Sequence, residues 1–212
     1  MAEERIFAVQ GKLAEILRRS ESYRQCRQIF IDPSLLLRQA RVNALLDGKE
    51  LIMPGAGLKE GFYLLKPFQV PFKNLVMAVT YVGLERYGRR LAAADISSLH
   101  ISLLVGESFA VDRQGHRLGG GQGFFDLAIA LLGEMNGLAD GCQAVAAIDD
   151  PARVVEKIPQ DPWDVKCGEI LAPDGIEELF DSSSVPEIFW DDIPPERIKR
   201  ISPLRRLLAS GK

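Results

Sequence analysis

The chemistry this chain can offer is concentrated in one run: Gly115-His116-Arg117-Leu118-Gly119-Gly120-Gly121-Gln122-Gly123-Phe124-Phe125-Asp126. Glycine lets a backbone turn through positive φ and approach a ligand with no Cβ in the way. Successive free amides leading into a helix then make a concave site for an anion. Arg117 can add a charge-assisted, two-pronged contact to a phosphate or carboxylate. Asp126 falls in the first turn of the helix that follows, where it can cap the helix or hold a divalent cation. No Gly-Lys-Ser/Thr follows the glycines, so this is not the P-loop of nucleotide hydrolases. The dinucleotide fingerprint fails too: started at Gly119 its last glycine falls on Phe124, and started at Gly121 it falls on Asp126. The competing reading is a flexible glycine-rich hairpin joining two core elements.

Other reactive side chains are sparse. His100 and His116 have no cysteine or carboxylate at ligand spacing, which argues against a zinc site. His116, beside Arg117, has the right chemistry for an acid or base, although a solvated loop histidine is the plainer reading. Asp149-Asp150 follows an apolar run and could reach a ligand from the same sheet edge. Asp150-Pro151 is equally a routine turn and helix start, and that reading is preferred. Trp163 and Trp190 are expected to cover the edge of the core. No Ser/His/Asp or Cys/His set can be assembled.

Several elements must hold the glycine run in place. Ile6, Leu13, Ile16 and Leu17 sit at roughly helical spacing within about 4–19, an amphipathic first helix ending near Ser20. Gln28–Ile31 reads as a strand closed by Asp32-Pro33-Ser34, with Ser34 as N-cap of a helix carrying Leu36 to Leu46. Asp47-Gly48 stops that helix, and Leu51–Met53 with Pro54 reads as the next strand, completing a right-handed strand–helix–strand unit. Phe62–Leu65 is a short strand candidate, and Lys73–Tyr87 is mixed. Ile101–Val105 is an unbroken apolar run of the buried parallel kind. A polar loop over 112–123 precedes a helix at Phe124–Met135. Ala144–Ile148 and Glu169–Leu171 are further strands, and a short helix is expected over Ile176–Phe180. The alternation predicts one α/β domain spanning 1–212, with a mostly parallel sheet and helices on both faces.

Of the 212 residues, 47% are hydrophobic and 26% charged, enough to bury a core, and the net charge of −3 argues against a general polyanion binder. Arg197, Lys199, Arg200, Arg205 and Arg206 alternate with Ile198, Ile201, Leu204, Leu207 and Leu208, the pattern of an amphipathic terminal helix rather than a nucleic-acid patch. The longest apolar stretch, near Leu75–Leu84, is far short of the ~20 residues that span a bilayer. Met-Ala-Glu-Glu-Arg is acidic where a signal peptide would be basic. Cys26, Cys142 and Cys167 lack zinc or redox spacing and read as reduced thiols. A cytoplasmic protein with neither a nucleic-acid nor a membrane partner is expected.

The glycine run resembles the signature of the 5-formyltetrahydrofolate cyclo-ligase (methenyltetrahydrofolate synthetase) family. That signature is Phe-Asp-x-x-Gly-x-Arg-Leu-Gly-x-Gly-x-Gly followed by two aromatics and Asp. Here Ala110-Val111-Asp112 precedes Gly115, Arg117-Leu118-Gly119, Gly121, Gly123, Phe124-Phe125 and Asp126. Asp32-Pro33-Ser34, Arg38, Arg41 and the run from Ala44 to Pro54 are similar to its methenyltetrahydrofolate synthase domain-containing branch, as is Ile188-Phe189-Trp190.

The resemblance implies a three-layer α/β/α fold like that of ribose-phosphate isomerase and CoA-transferase-like proteins. It implies small-molecule ligands, ATP and a reduced folate, with Mg²⁺ as cofactor. In the implied reaction the formyl oxygen of 5-formyltetrahydrofolate is phosphorylated, N10 attacks that carbon, and phosphate leaves to give 5,10-methenyltetrahydrofolate. Arg117 would then be catalytic. Arg117, Leu118, Gly119, Gly120, Gly121, Gln122, Gly123, Phe124 and Phe125 would bind ATP, and Asp126 would bind Mg²⁺. The family pattern is not matched everywhere. Ile16 follows Lys12 where a second basic residue is usual, Phe125 replaces a tyrosine, and Leu127 an arginine. Gly168 stands where a second metal carboxylate is usual. A non-catalytic nucleotide- or anion-binding module of the same fold is the alternative.

Overall fold

A computed structural model describes residues 2–179 and 183–210. The chain runs α1 (Ala2–Arg19), α2 (Glu21–Gln25), β1 (Gln28–Ile31), α3 (Arg38–Leu46), β2 (Glu50–Pro54), β3 (Phe62–Leu65), α4 (Leu75–Ala78), α5 (Tyr81–Tyr87), β4 (Arg89–Arg90), α6 (Ala93–Ile96), β5 (Ile101–Glu107), β6 (Ala110–Asp112) and β7 (Arg117–Leu118). It continues with α7 (Phe124–Glu134), β8 (Leu138–Ala147), β9 (Val154–Val155), β10 (Glu169–Ala172), β11 (Gly175–Glu178), α8 (Pro195–Arg200) and α9 (Ser202–Ala209).

Eight strands form one twisted layer in the order β11-β10-β8-β5-β1-β2-β3-β4. The five in the middle, from β10 to β2, are parallel, and β11, β3 and β4 pair antiparallel at the edges. Side chains alternate across such a layer. Phe30, Ile52, Leu104 and Ala146 go to one face, against α6, α7 and α9. Ile29, Ile31, Leu51, Met53, Leu103 and Val105 go to the other, against α1, α3, α4 and α5. Covered on both faces, the central strands have no need of a polar side, which is why they read as unbroken apolar runs. The fold is the expected α/β architecture, a largely parallel central sheet with helices on both sides.

Four expectations need correction. Ser34 does not cap α3, which begins at Arg38 with Leu37 in the cap position. The region 112–123 is not all loop, because β6 and β7 form a hairpin that joins β9 in a small second sheet. Residues 176–178 are strand rather than helix: β11 folds back on β10 with Ala172 opposite Gly175, around Pro173-Asp174. Phe180, the expected end of that helix, lies outside the described residues. Finally, the terminal amphipathic helix is two helices, since Ile201 is extended between α8 and α9 and Pro203 stands in the first turn of α9.

Candidate functional site

The carboxyl ends of β1, β2 and β5 and the turn from β7 into α7 surround a cleft of about 280 Å³. Open α/β sheets bind ligands at this edge. Its walls include Asp32 after β1, Pro54 and Gly55 at the end of β2, Glu107 at the end of β5, and Arg117, Gly119, Gly120, Gln122, Gly123, Phe124, Phe125 and Asp126.

The small sheet sets the loop. Asp112, fully buried, accepts hydrogen bonds from the amides of Gln114 and His116 (3.0 Å each) and Ile158 (2.9 Å), and lies 3.0 Å from Nδ1 of His116. Burial works against its charge, but these contacts win and hold its carboxyl below the ordinary range. His116 is thereby a turn fastener, and it does not line the cleft. Beyond the hairpin, Gly121 and Gly123 take φ of 73° and 57°, left-handed values natural to glycine. Gly123 is the residue preceding α7, so the loop delivers its amides directly to a helix start. Among the described residues, none of the amides of Gly119 through Gly123 donates to another backbone group.

Arg117 lies under this loop with its side chain 2% exposed. One terminal nitrogen is 2.8 Å and 2.9 Å from the two oxygens of Asp126, and the guanidinium lies 4.2 Å from the Phe125 ring centre. Its Nε is buried without a partner. Asp126 also accepts the amide of Val165 at 3.1 Å. Both oxygens of that carboxylate are thus taken, and among the described residues no group of three His, Cys, Asp or Glu could hold a metal ion. As the side chains stand, a divalent cation does not fit at Asp126.

Of the remaining loop residues named from sequence, Gly119, Gly120, Gln122, Gly123, Phe124 and Phe125 line the cleft. Phe125 is mostly buried and meets Phe30 edge-on at 6.0 Å, so it supports the floor, whereas Phe124 is exposed. Leu118 is exposed and stands outside the cleft, and Gly121 faces a neighbouring groove.

Sequence reasoning missed the other half of the site. Asp32 and Glu107 bring two carboxylates into it. Burial pushes both carboxyls up, and Asp32 raises Glu107 further, whereas Arg117, Arg41 and the backbone of Glu107 pull Asp32 back down. Arg41, 2% exposed, fastens the backbone beneath them by donating to the carbonyl oxygens of Asp32, Ser34 (2.8 Å) and Val79 (3.2 Å). Burial lowers its pKa to about 10. Tyr81 adds a phenol to the wall. The available signal was position: Asp32 and Glu107 are polar residues at the carboxyl ends of apolar strands.

Residues away from the cleft have plain roles. Asp149 pairs with Arg153, and Asp150 caps a 3₁₀ turn by accepting the amide of Ala152 at 2.9 Å. Glu169, next to Gly168, points to the opposite face and accepts from Ser22 at 3.1 Å, so it cannot replace a carboxylate at 168. Asp164 accepts the amide of Asp161 at 2.9 Å. Trp163 packs edge-on against Phe189 at 6.0 Å, and Trp190 packs on the core.

A doubly covered, largely parallel sheet with a glycine loop and a buried arginine at its carboxyl edge defines an α/β protein with an open cleft at that edge. The profile of the 5-formyltetrahydrofolate cyclo-ligase family matches residues 1–173, and the chain belongs to that family. It is 27% identical over 203 residues to a methenyltetrahydrofolate synthase domain-containing protein of Bos taurus, covering 93% of this chain and 52% of that one. The Mus musculus protein of the same description is 27% identical over 193 residues, 88% of this chain and 51% of its own length. The chain therefore spans about half the length of the curated relatives it matches. Among solved structures, 5,10-methenyltetrahydrofolate synthetase of Aquifex aeolicus superposes with a TM-score of 0.55 at 18% identity, over 90% of both chains, a likeness of fold.

Proposed function

We propose that this chain binds a phosphate-bearing ligand, ATP in the first instance, on the amides of Gly119–Gly123, with a reduced folate as the second small molecule of the cleft. The observation that carries the proposal is a set of amides at a helix start that, among the described residues, donate to no other backbone group and lie beside a buried guanidinium. Backbone N–H groups so arranged stabilise negative charge without reorganising, which is what phosphoryl binding requires. Arg117 contributes its field and an unpartnered Nε, while its pairing with Asp126 fixes the geometry. Phe124 offers an exposed aromatic face to a planar ligand group. No step runs through Mg²⁺, because the carboxylate at 126 is engaged. Three buried, unpaired cysteines support a cytoplasmic setting.

A ligand-binding module without ring-closing activity is the second reading. Gly168, with Glu169 turned to the other face, leaves the cleft without a carboxylate from β10. Calorimetry with ATP and with 5-formyltetrahydrofolate, beside an absorbance assay for the 5,10-methenyl product, separates the two. Gly120→Asp is the control: a side chain there meets nothing within 4 Å, so the fold survives while a negative charge enters the loop. ATP binding that disappears in Gly120→Asp is the expected result. Product formation makes the chain a cyclo-ligase, and binding without product makes it a module. Failure of folded wild-type chain to bind ATP overturns both.

A further inference from the structure

Between Pro67 and Leu84 the chain carries a single charged residue, Lys73, although this stretch runs along the surface. Leu75, Ala78, Val79 and Leu84 are buried and form the inward side of α4 and α5. The outward side is apolar as well. Phe68, Phe72 and Val82 are 83%, 80% and 74% exposed, and Val76, Met77 and Tyr81 are exposed beside them. Phe72 and Val76 are one turn apart in a continuous helical run from 72 to 78. A Cβ at Gly83 would stand 1.9 Å from the carbonyl oxygen of Met77, so the helix ends that carry Met77 and Val82 touch. Phe68 has a φ of 62°, a costly conformation for a bulky side chain, and its ring rests over Gly48, where a Cβ would lie 3.6 Å from it. The fold holds this ring in place without burying it.

Apolar side chains exposed singly need no explanation, but a continuous patch marks a contact surface. With about 150–250 Å² for each aromatic ring, these six side chains present about 600 Å² of apolar area. A standard interface takes about 800 Å² from each partner, of which roughly 65% is apolar in homodimers. The patch is therefore the size of one half of a stable dimer interface. Its chemistry also fits a second copy. A two-fold axis sets a patch against itself, which suits an apolar surface that needs no opposite charge. A lipid surface instead draws on clusters of about four to eight free basic side chains. Here the neighbouring arginines are engaged: Arg86 lies 5.2 Å from the Tyr87 ring centre, Arg89 pairs with Asp95 at 2.7 Å, and Arg90 pairs with Glu60.

We infer that the apolar ribbon over 68–82 is the interface of a two-fold homodimer. Tyr81 belongs both to this ribbon and to the wall of the cleft, so each cleft opens beside the interface. The inference is independent of what the glycine loop binds.

The test is sedimentation velocity of the full chain over a dilution series up to about 100 µM, a range that covers micromolar dissociation constants, for wild type and Phe72→Asp/Val82→Asp. Both side chains are exposed, so a charge there leaves the core intact, and Phe72→Ser/Val82→Ser takes its place if the acidic variant melts early. Wild type should pass from one chain to two as concentration rises. The variant should associate at least about a hundredfold more weakly, because a carboxylate buried in an apolar contact has no partner. Sodium chloride should leave the wild-type dimer in place, since an apolar contact is not screened. Vesicles of phosphatidylserine and phosphatidylcholine provide a second arm. A wild type that remains one chain throughout overturns the inference, and if that single chain pellets with vesicles while the variant does not, the patch faces lipid instead. A dimer that the variant leaves unchanged also overturns it, by placing the interface elsewhere.

Discussion

One terminal nitrogen of Arg117 reaches both carboxylate oxygens of Asp126, at 2.8 Å and 2.9 Å, across the mouth of the glycine loop. The pair ties the end of the small sheet to the first turn of α7. It also accounts for a side chain that cannot leave: Arg117 is enclosed by Phe125 on one side, and its other terminal nitrogen lies 3.5 Å from the carbonyl oxygen of Glu107.

Removing one partner of an enclosed ion pair strands the other charge, at a cost of about 3–5 kcal/mol. Asp126→Ala and Arg117→Met should therefore each unfold at markedly lower denaturant concentration, whereas Arg117→Met/Asp126→Ala should lose less than the two single losses together. Chemical denaturation of the two single variants and the double variant measures the coupling. Additive losses would show that the pair contributes no interaction of its own. Any assay of Asp126→Ala for activity has to be read beside this stability change.

Gly106 in β5 explains how Phe125 can lie so deep. A Cβ at 106 would stand 2.5 Å from that ring, and Phe30 and Arg117 leave the ring little room to move. Gly106→Ala should cost about 1–3 kcal/mol through overpacking, and it should weaken phosphate binding by displacing the support under Arg117. Thermal melts and a phosphate titration read the two effects. An unchanged melting temperature would mean that Phe125 has slack which the packing does not show.

Glu107 gives the cleft a pH dependence. Burial raises its carboxyl, and Asp32 and Asp149 raise it further against an opposing pull from Arg153. A carboxyl that holds its proton more tightly when folded adds stability that is complete below the ordinary carboxylate range and is lost as pH rises through its folded value. Glu107→Gln removes that loss. The variant should therefore gain on wild type as pH rises above the ordinary glutamate value of about 4.3, until the folded carboxyl has lost its proton. Unfolding free energies that run parallel across that interval would contradict a carboxyl held up by burial.

The sequence made the loop and the central strands legible because both depend on local patterns. Ile101–Val105 and Ala144–Ile148 are apolar throughout because both faces are covered, and the glycines of 119–123 have no role in an ordinary strand or helix. Asp32 and Glu107 were not legible as a pair, because they converge only when β1 and β5 become neighbours, in an order the chain does not follow. The engagement of Asp126 was hidden for a similar reason, since Arg117 is nine residues away and either side chain alone suggests a ligand contact. The β11 error had a local remedy: Pro173-Asp174-Gly175 is a turn signal, and it outweighs a helical reading of the residues after it. Ser202-Pro203 marked the break between α8 and α9 in the same way.

The central claim is that main-chain amides of the glycine loop hold the anion. The most direct measurement is an amide ¹⁵N–¹H correlation spectrum recorded during titration with ATP and, separately, with inorganic phosphate. Saturable downfield shifts centred on Gly119, Gly120, Gly121 and Gly123, absent in Gly120→Asp, are the predicted result. Binding that leaves those four signals in place and shifts residues elsewhere would contradict it.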